Sequence, residues 1–232
     1  MLNLIAIDTS TEGCSVALSW QGQLIEQFEL CPQSHSTILL PMIDAALKQA
    51  GCTLQQLDGL VFGQGPGSFT GVRIGIGVAQ GLAFSAELPV VGVSTLQAMA
   101  QQALEQHQKT EVIAAIDARM SEIYLSAFRA DEQGIMQPIV DETVIAPNKA
   151  ADYLKQAFNA PYGVGTGWQT YQDILAPLAS NAENIEILFP NATAMLTLAV
   201  EQFKTGKAVS AEHAQPVYVR DTVSWKKLPG RE

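Results

Sequence analysis

The stretch Gly63–Ser85, GQGPGSFTGVRIGIGVAQGLAFS, decides the reading of this chain. It opens with turn chemistry at Gly65, Pro66 and Gly67, where proline fixes one φ and glycine permits conformations closed to other residues. From Thr70 to Phe84 the pattern predicts a helix. At 100° per residue, Gly71, Gly75, Ala79 and Ala83 form one stripe of small side chains, and Gly77, Gly81 and Ser85 form a second. Arg73, Gln80 and Phe84 share a third line. Each interior glycine costs a helix roughly 0.5–1 kcal/mol relative to alanine. Such a helix needs a packing reason: one face on the protein's own sheet, the other against a partner. A purely internal core helix is the alternative.

A glycine-rich turn before a helix N-terminus is a ready anion site, but the specific signatures fail. A P-loop needs a lysine after its last glycine, and no lysine lies between Lys48 and Lys109. A dinucleotide fingerprint needs a glycine where Thr70 stands.

The chain of 232 residues suits one large domain or two small ones; 47% of its residues are apolar and 16% charged, as in an ordinary globular protein. Net charge is −10, and up to His107 the only basic residues are Lys48 and Arg73, which excludes a free-standing nucleic-acid binder in this half. Basic residues gather late, at Arg220, Lys226, Lys227 and Arg231, as in a solvated tail. Cys14, Cys31 and Cys52 lack C-x-x-C spacing, so a disulfide framework or zinc knuckle is not expected. No signal peptide or membrane span is legible, and a cytoplasmic protein is expected.

In order, strands are expected at Leu2–Ile7, Cys14–Trp20 and Gln23–Leu30 as an antiparallel meander. A helix follows from Ser34 or Ser36 to Ala50, stopped by Gly51, with Pro41 starting or kinking it. A strand at Gly59–Gly63 leads into the glycine helix, a strand at Pro89–Val93 follows, and Ser94 caps a helix to His107. A second half repeats the plan: strands at 111–117, 122–129 and 134–140, a helix at 147–158, a strand at 162–165, a helix at 168–178, a strand at 185–188 and a helix at 193–204. The boundary falls near 108–110, giving lobes 1–108 and 109–232, with the last helix and tail packing back on the first lobe.

A strand ending in Asp8, followed by the hydroxyl-rich turn Thr9, Ser10, Thr11, resembles the first phosphate loop of the actin-like ATPase superfamily. More narrowly, IAIDTSTEGCSVAL, GQGPGSFTGVRIGIGVAQGLA, VVGVSTLQAMA, AAIDARMSEIY, GVGTGW and PVYVRDTVSWKKLP resemble the TsaB (YeaZ) family of bacteria over essentially the whole chain. The resemblance implies an α/β actin-like (ribonuclease H-like) fold of two lobes, each a mixed sheet flanked by helices. It implies a part in making threonylcarbamoyladenosine beside the anticodon of tRNAs that read A-starting codons. In that pathway TsaD is the catalytic paralogue, TsaE an ATPase, and TsaC supplies threonylcarbamoyl-adenylate. The expected role is a non-catalytic subunit that pairs with TsaD, works with TsaE, meets tRNA only through the complex, and pairs with itself when alone.

Local residues agree with that role. TsaD-like proteins carry a G-V-H-H-M-E-G-H type run; here Thr95 and Met99 stand where its metal-binding histidines would, and neither suits such a site. His35, His107 and His213 are scattered. Ser68 has no histidine placed for it, and G-x-S-x-G is absent, so a serine protease is excluded. The expected partner interface is Gly71, Arg73, Gly75, Gly77, Gln80, Gly81 and Phe84, with Ile38 and Met42 from the preceding helix. Asp8, Thr9, Ser10 and Thr11 are the candidate vestigial nucleotide loop. No resident cofactor or metal is expected, and a nucleotide only in the complex with partners. The rival reading is an autonomous ATP-dependent enzyme of the superfamily built on Asp8. Three further readings stay open: Asp117 and Arg119 line the cleft or form an ordinary turn pair; Trp168 belongs to an adenosine-side loop or packs its own loop; Tyr218 and Trp225 stack on tRNA or pack the tail.

Overall fold

The computed structural model describes residues 2–155 and 158–219. The first sheet has five strands: β1 (Leu4–Asp8), β2 (Gly13–Trp20), β3 (Gln23–Leu30), β4 (Gly59–Gly65) and β5 (Val90–Ser94), in the order β3-β2-β1-β4-β5. β1, β2 and β3 pair antiparallel, while β4 and β5 continue parallel to β1. The second sheet repeats the plan with β6 (Glu111–Arg119), β7 (Glu122–Ala130), β8 (Met136–Ile145) and β9 (Tyr162–Val164), in the order β8-β7-β6-β9. This is the actin-like, ribonuclease H-like α/β arrangement.

Side chains on β1 alternate between faces, as the pleat requires. Ile5 and Ile7 join the core under α1 (His35–Ala50) and α2 (Phe69–Ala86). Leu4 and Ala6 face α7 (Ala192–Lys204). α3 (Thr95–His107) packs beside α7 and buries Leu96, Met99, Ala100 and Ala103 against the second sheet. The far side of that sheet is covered by the short helices α4 (Ala150–Leu154), α5 (Gly167–Thr170) and α6 (Gln172–Leu175). The layers therefore run α1/α2, first sheet, α3/α7, second sheet, α4–α6.

Several elements differ from the sequence reading. Pro41 lies inside α1, so of the two readings it does not start the helix. The helix expected at 168–178 is broken into α5, α6 and a 3-10 turn at Ala176–Leu178. Residues 185–188 are not a strand, although Ile187 O accepts from Gly165 N at 2.8 Å. The helix expected at 147–158 is a 3-10 turn at Pro147–Lys149 followed by α4.

Glutamines on α3 tie that helix to the start of β8 in the second sheet. Gln101, 1% exposed, accepts from Met136 N at 2.9 Å and donates to Gly134 O at 3.1 Å. Gln97 donates to Met136 O at 2.7 Å. Gln101→Ala strands a buried N–H and carbonyl, and is expected to lower unfolding free energy by about 1–3 kcal/mol. Urea denaturation measures it, and an unchanged midpoint would show that water replaces the amide.

Candidate functional site

The candidate residues fall in two places: the turn after β1 and the helices α1 and α2. In the turn, Asp8, Thr9, Ser10 and Thr11 are all buried. Asp8 Oδ1 accepts from Ser10 N at 3.0 Å and Ser10 Oγ at 2.9 Å. Its Oδ2 is buried with no hydrogen-bond partner among the described residues. Burial pushes the carboxyl up to about 6 against the two Ser10 hydrogen bonds. Thr9 Oγ1 donates to Gly71 O at 2.7 Å, and Ser10 O accepts from Ser68 N at 2.7 Å. Thr95 Oγ1 donates to Ser10 Oγ at 3.0 Å.

The loop 65–68 and the start of α2 thus sit directly on the turn. A Cβ added at Gly67 would come 2.1 Å from Ser10 O, one at Gly71 2.1 Å from Thr9 O, and one at Gly75 2.6 Å from Thr9 Oγ1. No real side chain tolerates such distances. These glycines let the turn and helix touch, and the Thr9 and Ser10 hydroxyls donate within the chain, to Gly71 O and Asp8 Oδ1. The first stripe of α2 is therefore the inward one. Gly71 and Gly75, expected at a partner interface, are buried inside the chain, because the turn occupies the space before them.

The second stripe faces outward. Gly77 and Gly81 have nothing within 4 Å of an added Cβ. Phe84 is 75% exposed, Phe69 64% and Leu40, on α1, 48%. The Arg73 guanidinium lies 3.2 Å from the Phe69 ring centroid and 5.1 Å from that of Tyr218. Gln80, also expected at the interface, donates its amide to Ala214 O at 2.9 Å and is engaged within the chain. Met42 is corrected too: it is buried beneath α1, on the stripe of Leu39, Ile43 and Ala46, and Ile38 is half-buried beside it. Leu40 is the residue α1 presents outward. Phe69 and Tyr218 were missed as interface candidates. The spacing of Phe69 and Arg73, four apart on one helix face, was the available signal.

The other candidates resolve as follows. Asp117 holds Arg119 N at 3.0 Å and Arg119 Nη1 at 2.9 Å, while Arg119 Nη2 reaches Glu12 at 3.2 Å across the cleft. Arg119 is three-quarters exposed, so water weakens the pair. Trp168 is buried, its Nε1 donating to Val164 O at 3.0 Å, with the ring over Gly163; it packs its own loop. Trp225, Arg220, Lys226, Lys227 and Arg231 lie outside the described residues. Met99 is buried in the α3 core, and His35, His107 and His213 are far apart in the chain. No group of three or more His, Cys, Asp or Glu side chains among the described residues is placed to hold a metal. No helix among the described residues is long and apolar enough to cross a membrane.

A glycine helix closed onto a hydroxyl turn has close relatives. The chain is 47% identical over 231 residues to the tRNA threonylcarbamoyladenosine biosynthesis protein TsaB of Escherichia coli K12, covering both chains completely. The chain belongs to the TsaB family. It is 48% identical to the protein of that name from Haemophilus influenzae, covering 100% of this chain and 99% of that one. The family model for TsaD, tRNA N6-adenosine threonylcarbamoyltransferase, matches residues 28–227. The solved structure of YeaZ from Pseudomonas aeruginosa superposes with a TM-score of 0.86 at 41% identity, covering 94% of this chain and all of that one.

Proposed function

We propose that this TsaB-family chain is a non-catalytic subunit in the formation of threonylcarbamoyladenosine beside the anticodon of tRNAs reading A-starting codons. It works in the cytoplasm by pairing with TsaD, TsaE joining the pair, and tRNA meeting the chain through the complex. Alone, the same face pairs two copies. The observation that carries the reading is the contrast between the two stripes of α2. The inner stripe packs onto the superfamily's phosphate turn, whose Thr9 and Ser10 hydroxyls donate within the protein. The outer stripe leaves Gly77 and Gly81 open on α2 between Arg73 and Phe84, a surface on which a second helix can approach closely. Exposed large apolar side chains at Phe69 and Phe84 on the same helix favour a protein partner.

Arg73→Ala tests the reading. Arginine held between two rings is a typical interface anchor, and its loss should weaken pairing with TsaD by about tenfold or more. Fold stability should change by less than about 1 kcal/mol, since exposed cation–π contacts are worth no more. Native mass measurement of the complex and a melting curve read the two effects. Threonylcarbamoyladenosine made by a reconstituted mixture with TsaC, TsaD and TsaE should fall in parallel. ATP turnover by the isolated chain should be negligible; a measurable turnover abolished by Asp8→Ala would replace this reading with the enzyme reading.

A further inference from the structure

Three of the sheet edges among the described residues are protected against further pairing. β5 is bridged by Val209, with hydrogen bonds of 2.8 and 2.9 Å. β9 is three residues long. β8 carries Pro138, and its register with β7 shifts twice. β3 has none of these devices. Its eight residues, QLIEQFEL, contain no proline, glycine or lysine, and pair with β2 in unbroken register from Gly13↔Leu30 to Trp20↔Gln23. Long, regular and apolar edges invite another strand.

The face of β3 turned away from α1 is half open. Ile25 points under α1 and is buried. On the opposite face Leu24, Phe28 and Leu30 are 53%, 51% and 59% exposed, with Glu26 between them. On this face Thr193 Oγ1 of α7 donates to Glu26 at 3.0 Å, and the Phe28 ring stacks on Phe189. Beside it lies a groove of about 430 Å³ lined by Glu26, Phe28, Gln102, Gln106, Glu186 and Phe189, with no Lys or Arg in its wall. Gln102 Oε1 is buried there without a partner among the described residues. Two carboxylates and an unsatisfied amide oxygen are all acceptors, and the two phenylalanine rings are 6.4 Å apart. That combination suits a lysine or arginine, whose stem lies on apolar surface while its head donates.

We propose that β3 is a docking edge for an extended basic segment of a partner protein. The segment adds as a sixth strand, sets apolar side chains against Leu24, Phe28 and Leu30, and places one basic side chain in the groove. Charge selects this occupant over a second copy. Antiparallel self-pairing centred on Glu26 would set the Glu26 carboxylates of two chains opposite one another, each chain carrying a net charge of −10, and like charges opposed across a strand pair are destabilising.

The test uses the full chain and a fluorescein-labelled peptide of alternating valine and lysine, with a valine/glutamate peptide as control. Anisotropy should report saturable binding of the basic peptide only, weaker at high salt. Leu24→Lys should weaken it by at least about tenfold with the melting curve unchanged. Glu87→Lys, a larger charge change on an exposed residue outside the groove, should have little effect. Hydrogen exchange at residues 23–30 should slow on binding. Leu24→Lys leaves the α1/α2 face untouched, so pairing with TsaD should persist. The proposal is overturned if the basic peptide does not bind, if the acidic one binds equally, or if Leu24→Lys and Glu87→Lys weaken binding alike. A doubling of mass with concentration that Leu24→Lys abolishes, without peptide binding, would assign the edge to a second copy.

Discussion

Gly75→Leu is expected to lower unfolding free energy by about 3 kcal/mol or more, whereas Gly81→Leu keeps a cooperative melt and loses pairing with TsaD. The difference follows from what each Cβ meets. At Gly75 it would lie 2.6 Å from Thr9 Oγ1, the hydroxyl that holds Gly71 O. A leucine there breaks that hydrogen bond and lifts α2 from the turn, and α2 cannot shift without disturbing Val72, Ile76 and Ala79 in the core. At Gly81 the Cβ meets nothing. Leucine also has better helix propensity than glycine, so the isolated fold should gain up to about 1 kcal/mol. The same leucine stands where another backbone would approach, and holds it off. Thermal and urea melts, native mass of the complex with TsaD, and threonylcarbamoyladenosine yield read the two variants. If both stay folded, pair normally and support full modification, the outer stripe is not an interface.

Asp8 makes stability depend on pH in the direction opposite to most carboxylates. Burial raises its folded pKa from 3.8 to about 6, the Ser10 hydrogen bonds offsetting part of that rise. The folded state therefore holds the proton more tightly than the unfolded chain. The contribution of this group is most favourable below about pH 4, falls as pH rises from 4 to 6, and is flat above. The full span is at most about 3 kcal/mol, from about 1.4 kcal/mol per pKa unit. Asp8→Asn has no charge to bury, and any fixed cost of its amide is the same at every pH. The expected result is that the stability of Asp8→Asn relative to wild type rises between pH 4 and 6 and then levels. Urea denaturation across that range measures it. Two parallel curves would mean that the carboxyl finds a partner in solution and titrates normally.

The first half of the fold was legible because its signals are local. The apolar run of β1 ending at Asp8, the Gln21-Gly22 hairpin turn, Gly51 after α1 and the uninterrupted run of α2 each announce themselves within a few residues. The second half was harder: residues 168–178 carry enough apolar side chains for a helix, but Trp168 and Leu175 are buried in different turns of a folded loop, which packing decides. At the site, periodicity correctly separated two glycine stripes on α2. It could not orient them, since what distinguishes Gly75 from Gly81 is the backbone of Thr9, distant in sequence. Met42 misled for the same reason: the face of α1 that reads as apolar is the one the core takes.

The placement of α7 has a consequence for biosynthesis. Its residues, 192–204, cover the face of the first sheet formed by Leu4, Ala6, Val61 and Val91, yet they are made after both sheets. At about 5–20 residues per second, that face waits roughly 10–40 s from the start of synthesis for its cover. Neither half of the chain owns all the helices that bury its sheet, so a nascent first half emerges with an apolar surface and no means of closing it. The first sheet is covered only once α7 has been made, and nascent chains stalled before residue 192 should be held by chaperones or degraded while those that include α7 are not.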